Sequence, residues 1–146
     1  MKKDPVFLFM VVIVLIVCTG CTQSTAPAAV SPPPVTIVPA VTASGYTDLT
    51  PVQAKDLIAS EKDLVIVDVS PYYANGHLPN AISIPLETLD GKIPTLDKTK
   101  TYLVYCHGDA PSIAGAQKLV DAGFPRVYRL AGNYAAWVSA GYPVST

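Results

Sequence analysis

The sequence predicts an α/β domain built on a parallel sheet with helices on both faces. Three observations carry this. Short apolar runs rich in β-forming residues (Leu64 to Val69, Ala81 to Ile84, Tyr102 to Tyr105, Val127 to Leu130) alternate with helical patterns, the order in which parallel sheets are built. Tyr102 to Tyr105 has no polar alternation, which marks a central strand covered on both sides. That run ends at Cys106 and a turn-forming stretch, and a helix follows from near Pro111 or Ser112.

The chain has 146 residues, and the part after about residue 45 has the size of one small domain. From Cys21 onward there are 8 Lys+Arg against 10 Asp+Glu, a net charge of −2. With no basic run, nucleic acid is a poor partner. The two His and three Cys have no metal-ligand spacing, so no metal site or other cofactor is expected.

Taken in order, Lys2 and Lys3 precede an unbroken apolar run from Val6 to Val17, followed by Cys18-Thr-Gly-Cys21. This resembles a lipoprotein signal peptide, residues 1–20, with Cys21 as the lipidated residue. Twelve apolar residues make a helix of only about 18 Å, short of a hydrocarbon core of about 30 Å. A lipid anchor is therefore preferred to an uncleaved signal anchor. Residues 21–45 carry five prolines among Thr, Ala, Ser and Val, without charge. Such a segment cannot build a core and reads as an extended tether with a reach of roughly 75 Å. The domain, residues 46–146, is thus expected outside the cytoplasm, held at a membrane.

Within the domain, Thr50-Pro51 supplies an N-cap and first-turn proline for a helix with Val52, Leu57 and Ile58 on its apolar face. Leu64 to Val69 is a buried strand. Pro71 to Asn75 forms a helical turn stopped by Gly76-His77, and Ala81 to Ile84 is a short strand closed by Pro85. Leu86 to Leu89 gives a turn of helix, and Gly91 to Lys100 a polar connection. The helix after Cys106 has Ile113, Ala116, Leu119 and Val120 on one face and stops at Gly123. Val127 to Leu130 is the last strand, and Tyr134 to Ala140 a terminal helix carrying Trp137.

A cysteine at the carboxyl end of a central strand, directly before a helix, sits where open α/β folds bind ligands. Loop amides and the positive end of the helix can stabilise a thiolate there. Cys106 is therefore expected to be a nucleophile and at least partly accessible. His107 is given a modest electrostatic role beside it. Asp68 is expected to cap local backbone amides rather than do acid/base work. His77 should fix a turn, Asn80 and Asn133 should be turn residues tolerating left-handed backbone, and Ser112 should cap the helix or bond within the loop.

Val65-Ile-Val-Asp68, Gly76-His-Leu-Pro-Asn-Ala-Ile-Ser-Ile-Pro85, Tyr102-Leu-Val-Tyr-Cys106, Ala122-Gly-Phe124, Val127-Tyr128 and Leu130-Ala-Gly132 with Ala136-Trp137 together resemble the rhodanese domain over about residues 46 to 143. The resemblance implies a small rhodanese-like α/β fold and a sulfurtransferase, with Cys106 as the catalytic residue that accepts sulfane sulfur as a persulfide. It implies that His107, Gly108, Asp109, Ala110, Pro111 and Ser112 form the substrate-binding loop. The implied partners are a small sulfur donor (thiosulfate, polysulfide or persulfide) and a thiol acceptor.

Two departures bear on the chemistry. The family loop often has Arg or Lys five places after the cysteine, where this chain has Pro111, and the arginine of the family's Asp-x-Arg is replaced by Ser70. Pro111 also removes one amide from an anion cradle, and Asp109 places a negative charge beside the nucleophile. A non-catalytic binding module of the same fold is the alternative. Phosphatase or arsenate-reductase chemistry ranks third, because residues 107 to 112 hold no Arg or Lys to clamp a tetrahedral dianion.

Overall fold

The computed structural model describes residues 45–146. Residues 1–44, which include the expected leader, Cys21 and nearly all of the expected tether, lie outside the described residues. The elements run β1 (Thr47–Leu49), α1 (Pro51–Ser60), β2 (Leu64–Asp68), a 3-10 turn (Tyr73–Asn75), β3 (Ile82–Ser83) and α2 (Leu86–Lys92). A second 3-10 turn (Ile93–Thr95), β4 (Thr101–Tyr105), α3 (Asp109–Asp121), β5 (Val127–Leu130) and α4 (Asn133–Ser139) complete the order. The five strands are all parallel, in the order β1-β5-β4-β2-β3. The fold is thus α/β with a parallel five-stranded sheet, and β4 is its middle strand.

Alternation along the strands divides the core between the two faces. Val67, Val69, Tyr102, Val104 and Cys106 join Leu89, Ala116 and Leu119, so one face is covered by α2 and α3. Ile66, Leu103, Tyr105 and Leu130 join Ala54 and Trp137, so the other is covered by α1 and α4. The successive residues of β4 therefore anchor opposite layers, and all five are buried. Among the described residues no helix is long and apolar enough to cross a membrane.

The cap of α1 is the expected one. Thr50 Oγ1 accepts from Gln53 N, and Gln53 Oε1 accepts from Thr50 N in return, with Pro51 in the first turn. Other boundaries differ from expectation for identifiable reasons. β1 is a three-residue strand with a central Asp, too short and too polar to stand out. It exists because Asp48 lies opposite Arg129 in the β1–β5 register, where an opposite-charge pair holds two strands together. α2 continues through Gly91 to Lys92 instead of ending at Leu89, because Leu89 is fully buried against the core and anchors the turns around it.

α3 starts at Asp109, two residues before the first expected position. Pro111 is tolerated because amides of the first helical turn have no intrahelical acceptor, and Asp109 suits the positive helix end. The buried stripe of α3 is Ser112, Gly115, Ala116 and Leu119. Ile113, expected inside, is exposed. Gly115 explains the rotation: a Cβ there would lie 3.1 and 3.3 Å from the two Val69 methyls and 3.4 Å from Val104 Cγ1. The missing side chain lets α3 settle onto β4 and the segment after β2, immediately beyond the Cys106 loop.

Candidate active site

Cys106 follows the last residue of β4 at the carboxyl edge of the sheet. Both of its backbone groups are held by the start of α4: Asn133 Oδ1 accepts from Cys106 N at 3.2 Å, and Tyr134 N donates to Cys106 O at 3.0 Å. Its side chain joins the apolar cluster of Val69, Val104 and Ala116. The residue is 3% exposed, so the expected partly accessible thiol is not found; alternation along β4 turns it onto the packed α3 face. The other five loop residues and Ser112 follow in one continuous turn. Gly108, in extended backbone, is the N-cap of α3. Ser112 Oγ donates to Asp109 O at 2.8 Å, bonding within the loop. Ala110 is exposed and Pro111 half-buried.

Under this loop lies a residue that sequence reasoning missed. Arg129 of β5 donates through Nε and Nη2 to the two Asp48 oxygens at 2.7 and 2.8 Å, and through Nη1 to Asp109 Oδ1 at 3.2 Å and Ser112 Oγ at 3.4 Å. These bonds, led by those to Asp48, hold its pKa above the ordinary value against the cost of burial. Asn133 Nδ2 donates to the same Asp109 oxygen at 2.6 Å. Asp109 is therefore compensated by a cation and an amide rather than left to oppose charge on the sulfur. The guanidinium in turn is committed to two carboxylates. The available signal was an arginine inside an otherwise apolar four-residue strand, Val127-Tyr128-Arg129-Leu130, since a buried cation needs partners.

On the other side of the loop stand Asp68 and His107. Asp68 ends β2 and is fully buried. Its Oδ1 accepts from Ser70 N at 2.8 Å, the backbone cap expected of it. Its Oδ2 is buried without a hydrogen-bond partner, as is His107 Nε2, and these two atoms are 3.9 Å apart. His107 stacks on Tyr134, ring centroids 4.4 Å apart and planes within 5°, and Tyr72 lies tilted at 5.9 Å. The stack depends on Gly76: with φ of 134°, its absent Cβ would collide with the Tyr134 hydroxyl. Burial pushes the pKa of the Tyr105 hydroxyl strongly up, and the neighbouring Asp68 charge adds to this, so the phenol stays protonated. It accepts from Leu78 N at 3.0 Å.

The remaining expected turn residues sit away from this constellation. His77 stacks on Tyr73 at 3.8 Å, with Nδ1 3.2 Å from Tyr73 O, and its backbone bridges Ser145. Asn80 and Asn133 both have positive φ, 61° and 57°. Asn133 does more than turn the chain, since its side chain links Cys106 to Asp109. Among the described residues no group of three His, Cys, Asp or Glu could hold a metal ion.

The Rhodanese-like domain family matches residues 50–140. The chain is 34% identical over 102 residues to the thiosulfate sulfurtransferase GlpE of Coxiella burnetii, covering 68% of this chain and 94% of that protein. It is 27% identical over 89 residues to a sulfurtransferase of Allochromatium vinosum, covering 60% and 83%. Among solved structures it resembles RPA3614 of Rhodopseudomonas palustris, described as a protein of unknown function and possible tyrosine phosphatase. That match has a TM-score of 0.62 and 27% identity, covering 77% of this chain and 98% of that one. It also resembles the Alr3790 protein of Anabaena, with a TM-score of 0.60 and 29% identity, covering 66% and 81%.

Proposed function

The chain belongs to the rhodanese-like domain family, and from that premise we propose that it is a sulfurtransferase or persulfide carrier working through Cys106. Sulfurtransferase activity at the level of the family is supported by the relatives in Coxiella and Allochromatium. The single observation that carries the specific reading is the seat of Cys106. It directly follows the central strand, is held at both backbone groups, and lies three residues before the amino end of α3. With thiosulfate as donor, the Cys106 thiolate attacks the outer sulfur, the S–S bond of the donor breaks, and sulfite leaves with the electron pair. The products are Cys106–S–S⁻ and sulfite. Intact-mass measurement of the chain after exposure to thiosulfate and, separately, polysulfide tests this. One added sulfur on Cys106 is expected with at least one donor, and none with either would end the proposal.

Donor preference follows from charge. Thiosulfate is a dianion and needs fixed donors to replace its hydration. Arg129 is already paired with Asp48 and Asp109, and residues 107–112 add no Arg or Lys. The amides before Pro111, the helix end and His107 are left to do the work. We expect weak thiosulfate turnover and a relative preference for a persulfide donor. Pro111→Arg should raise kcat/KM for thiosulfate about tenfold or more, the worth of one charge-assisted hydrogen bond. Strong parent turnover unchanged by the added arginine would refute the charge argument. Phosphoryl chemistry, suggested by the description of RPA3614, needs a cation facing the loop and is disfavoured on the same grounds. The burial of Cys106 favours, as second reading, a non-catalytic binding module, which the absence of loading would leave standing.

The anchor is part of the same proposal. Cys21 after the apolar run supports a lipidated chain whose domain works at a membrane on the extracytoplasmic side. Cys21→Ser should abolish incorporation of a labelled lipid precursor; persistent labelling in that variant would rule the anchor out.

A further inference from the structure

We propose that His107 is the base that takes the proton from the acceptor thiol in the discharge step, and that Asp68 is its positioning residue. This rests on the persulfide reading of Cys106 and goes beyond it, assigning the second half of the reaction to residues outside the loop's anion cradle. The observation is the pair of orphan atoms described above. Asp68 Oδ2 is fully buried and lacks a hydrogen-bond partner, His107 Nε2 is likewise buried and unpartnered, and the two face each other at 3.9 Å. That is about 1 Å beyond an ordinary N–H···O contact, a gap that small side-chain rotations close. A buried carboxylate oxygen without a formed hydrogen bond is costly to maintain, and the groups that face Asp68 are this nitrogen and the protonated Tyr105 hydroxyl, whose oxygen already accepts from Leu78 N. The other Asp68 oxygen is already engaged by Ser70 N, so the carboxylate is fixed in direction.

The arrangement selects a tautomer. A carboxylate opposite Nε2 favours the proton on Nε2, which leaves the lone pair on Nδ1. The side chain is 21% exposed while Nε2 is sealed, so the open part of the ring lies away from Asp68. The Tyr134 ring stacked at 4.4 Å and the Tyr72 ring tilted at 5.9 Å fix the imidazole plane. Tyr105, whose pKa burial pushes up, stays protonated near Asp68 and cannot take the proton in its place. Asp109, the other charged residue of the loop, is turned to Arg129 and Asn133. The base is thus next in sequence to the nucleophile, and its orienting carboxylate comes from the adjoining strand.

The step balances as follows. His107 Nδ1 takes the proton of R–SH, and the resulting thiolate forms a bond to the outer sulfur of Cys106–S–S⁻. The bond between that sulfur and Cys106 Sγ breaks, and the imidazolium, balanced meanwhile by Asp68, returns its proton to the departing Cys106 sulfur. The sum is Cys106–S–S⁻ + R–SH → Cys106–SH + R–S–S⁻, with no external oxidant or reductant. Sulfite is the informative contrast, because at pH 8 it attacks as an anion and needs no base: Cys106–S–S⁻ + SO3²⁻ → Cys106–S⁻ + S2O3²⁻.

The test loads the full chain with polysulfide and follows loss of the added sulfur by mass, with dithiothreitol or sulfite as acceptor, in the parent, His107→Gln and Asp68→Asn. Discharge to dithiothreitol should fall about a hundredfold in His107→Gln, the ordinary worth of a positioned base, while discharge to sulfite falls far less, since there the substitution removes only a donor to the anion. Asp68→Asn, which keeps the acceptor for Ser70 N, should move discharge the same way by a smaller factor. It should also shift the ¹⁵N signals of His107 away from the Nε2–H tautomer, a readout that a purely structural role would leave alone. Equal slowing with both acceptors, or none, overturns the assignment of the base. An unchanged tautomer in Asp68→Asn overturns the role of Asp68. A parent chain that takes no sulfur defeats the persulfide reading itself and this inference with it.

Discussion

Cys106→Ala is expected to abolish sulfur loading from every donor while leaving the fold intact. The contacts that seat this residue are made by its backbone, to Asn133 Oδ1 and from Tyr134 N, and alanine keeps both. The lost sulfur leaves a small void among Val69, Val104 and Ala116. Its cost should be about 1 kcal/mol, near that of one buried methylene. The other two cysteines of the chain are Cys18 and Cys21, and neither belongs to the rhodanese-like domain. Intact mass after polysulfide treatment, read beside a urea unfolding curve, separates chemistry from folding. Sulfur retained on the domain of a folded Cys106→Ala chain would show that another group carries the reaction.

Arg129→Met lowers stability by about 2–3 kcal/mol, the largest loss we expect from a single substitution at this site. Methionine fills similar space but leaves Asp48 and Asp109 without their cation. Breaking a fully buried ion pair costs about 3–5 kcal/mol. Here the arginine side chain is 9% exposed, Asp48 27% and Asp109 68%. Solvent screens the Asp109 arm most, so the expected loss sits below that range and comes chiefly from Asp48. The substitution also unties β1 from β5 at the register pair that defines the edge of the sheet. Asp48→Asn added to Arg129→Met should recover part of the loss, because it removes the stranded charge. Unchanged urea midpoints in the single variant would mean that packing alone holds β1 in place.

What could be read from the sequence divides along physical lines. β4 and β2 stood out because strands buried on both faces are nearly continuous apolar runs, β5 because its β-formers are interrupted only by Arg129, and α1 because its cap chemistry is local. The Cys106 loop was legible for the same reason, as one contiguous segment. β1 was not, since its stability comes from a pairing between Asp48 and Arg129, 81 residues apart. Arg129, Asn133, Tyr134 and Tyr72 reach the site from three separate segments, and only the sheet order brings them together. Asp68 was read correctly as a cap for one of its oxygens. The direction of the other oxygen depends on where β4 delivers His107, which no local pattern encodes.

The two hydrogen bonds that seat Cys106 both end on residues 133 and 134, at the first turn of α4. Fraying of that turn and loosening of the cysteine backbone are therefore one event. The same turn carries Tyr134, whose ring covers His107. A single local opening, far smaller than global unfolding, would release the Cys106 peptide and uncover its neighbouring imidazole together. The amides of Cys106 and Tyr134 should then exchange with solvent at a common rate. For reagents too large to reach the buried sulfur in the closed form, that breathing rate sets the ceiling on reaction, whatever the intrinsic reactivity of the thiol.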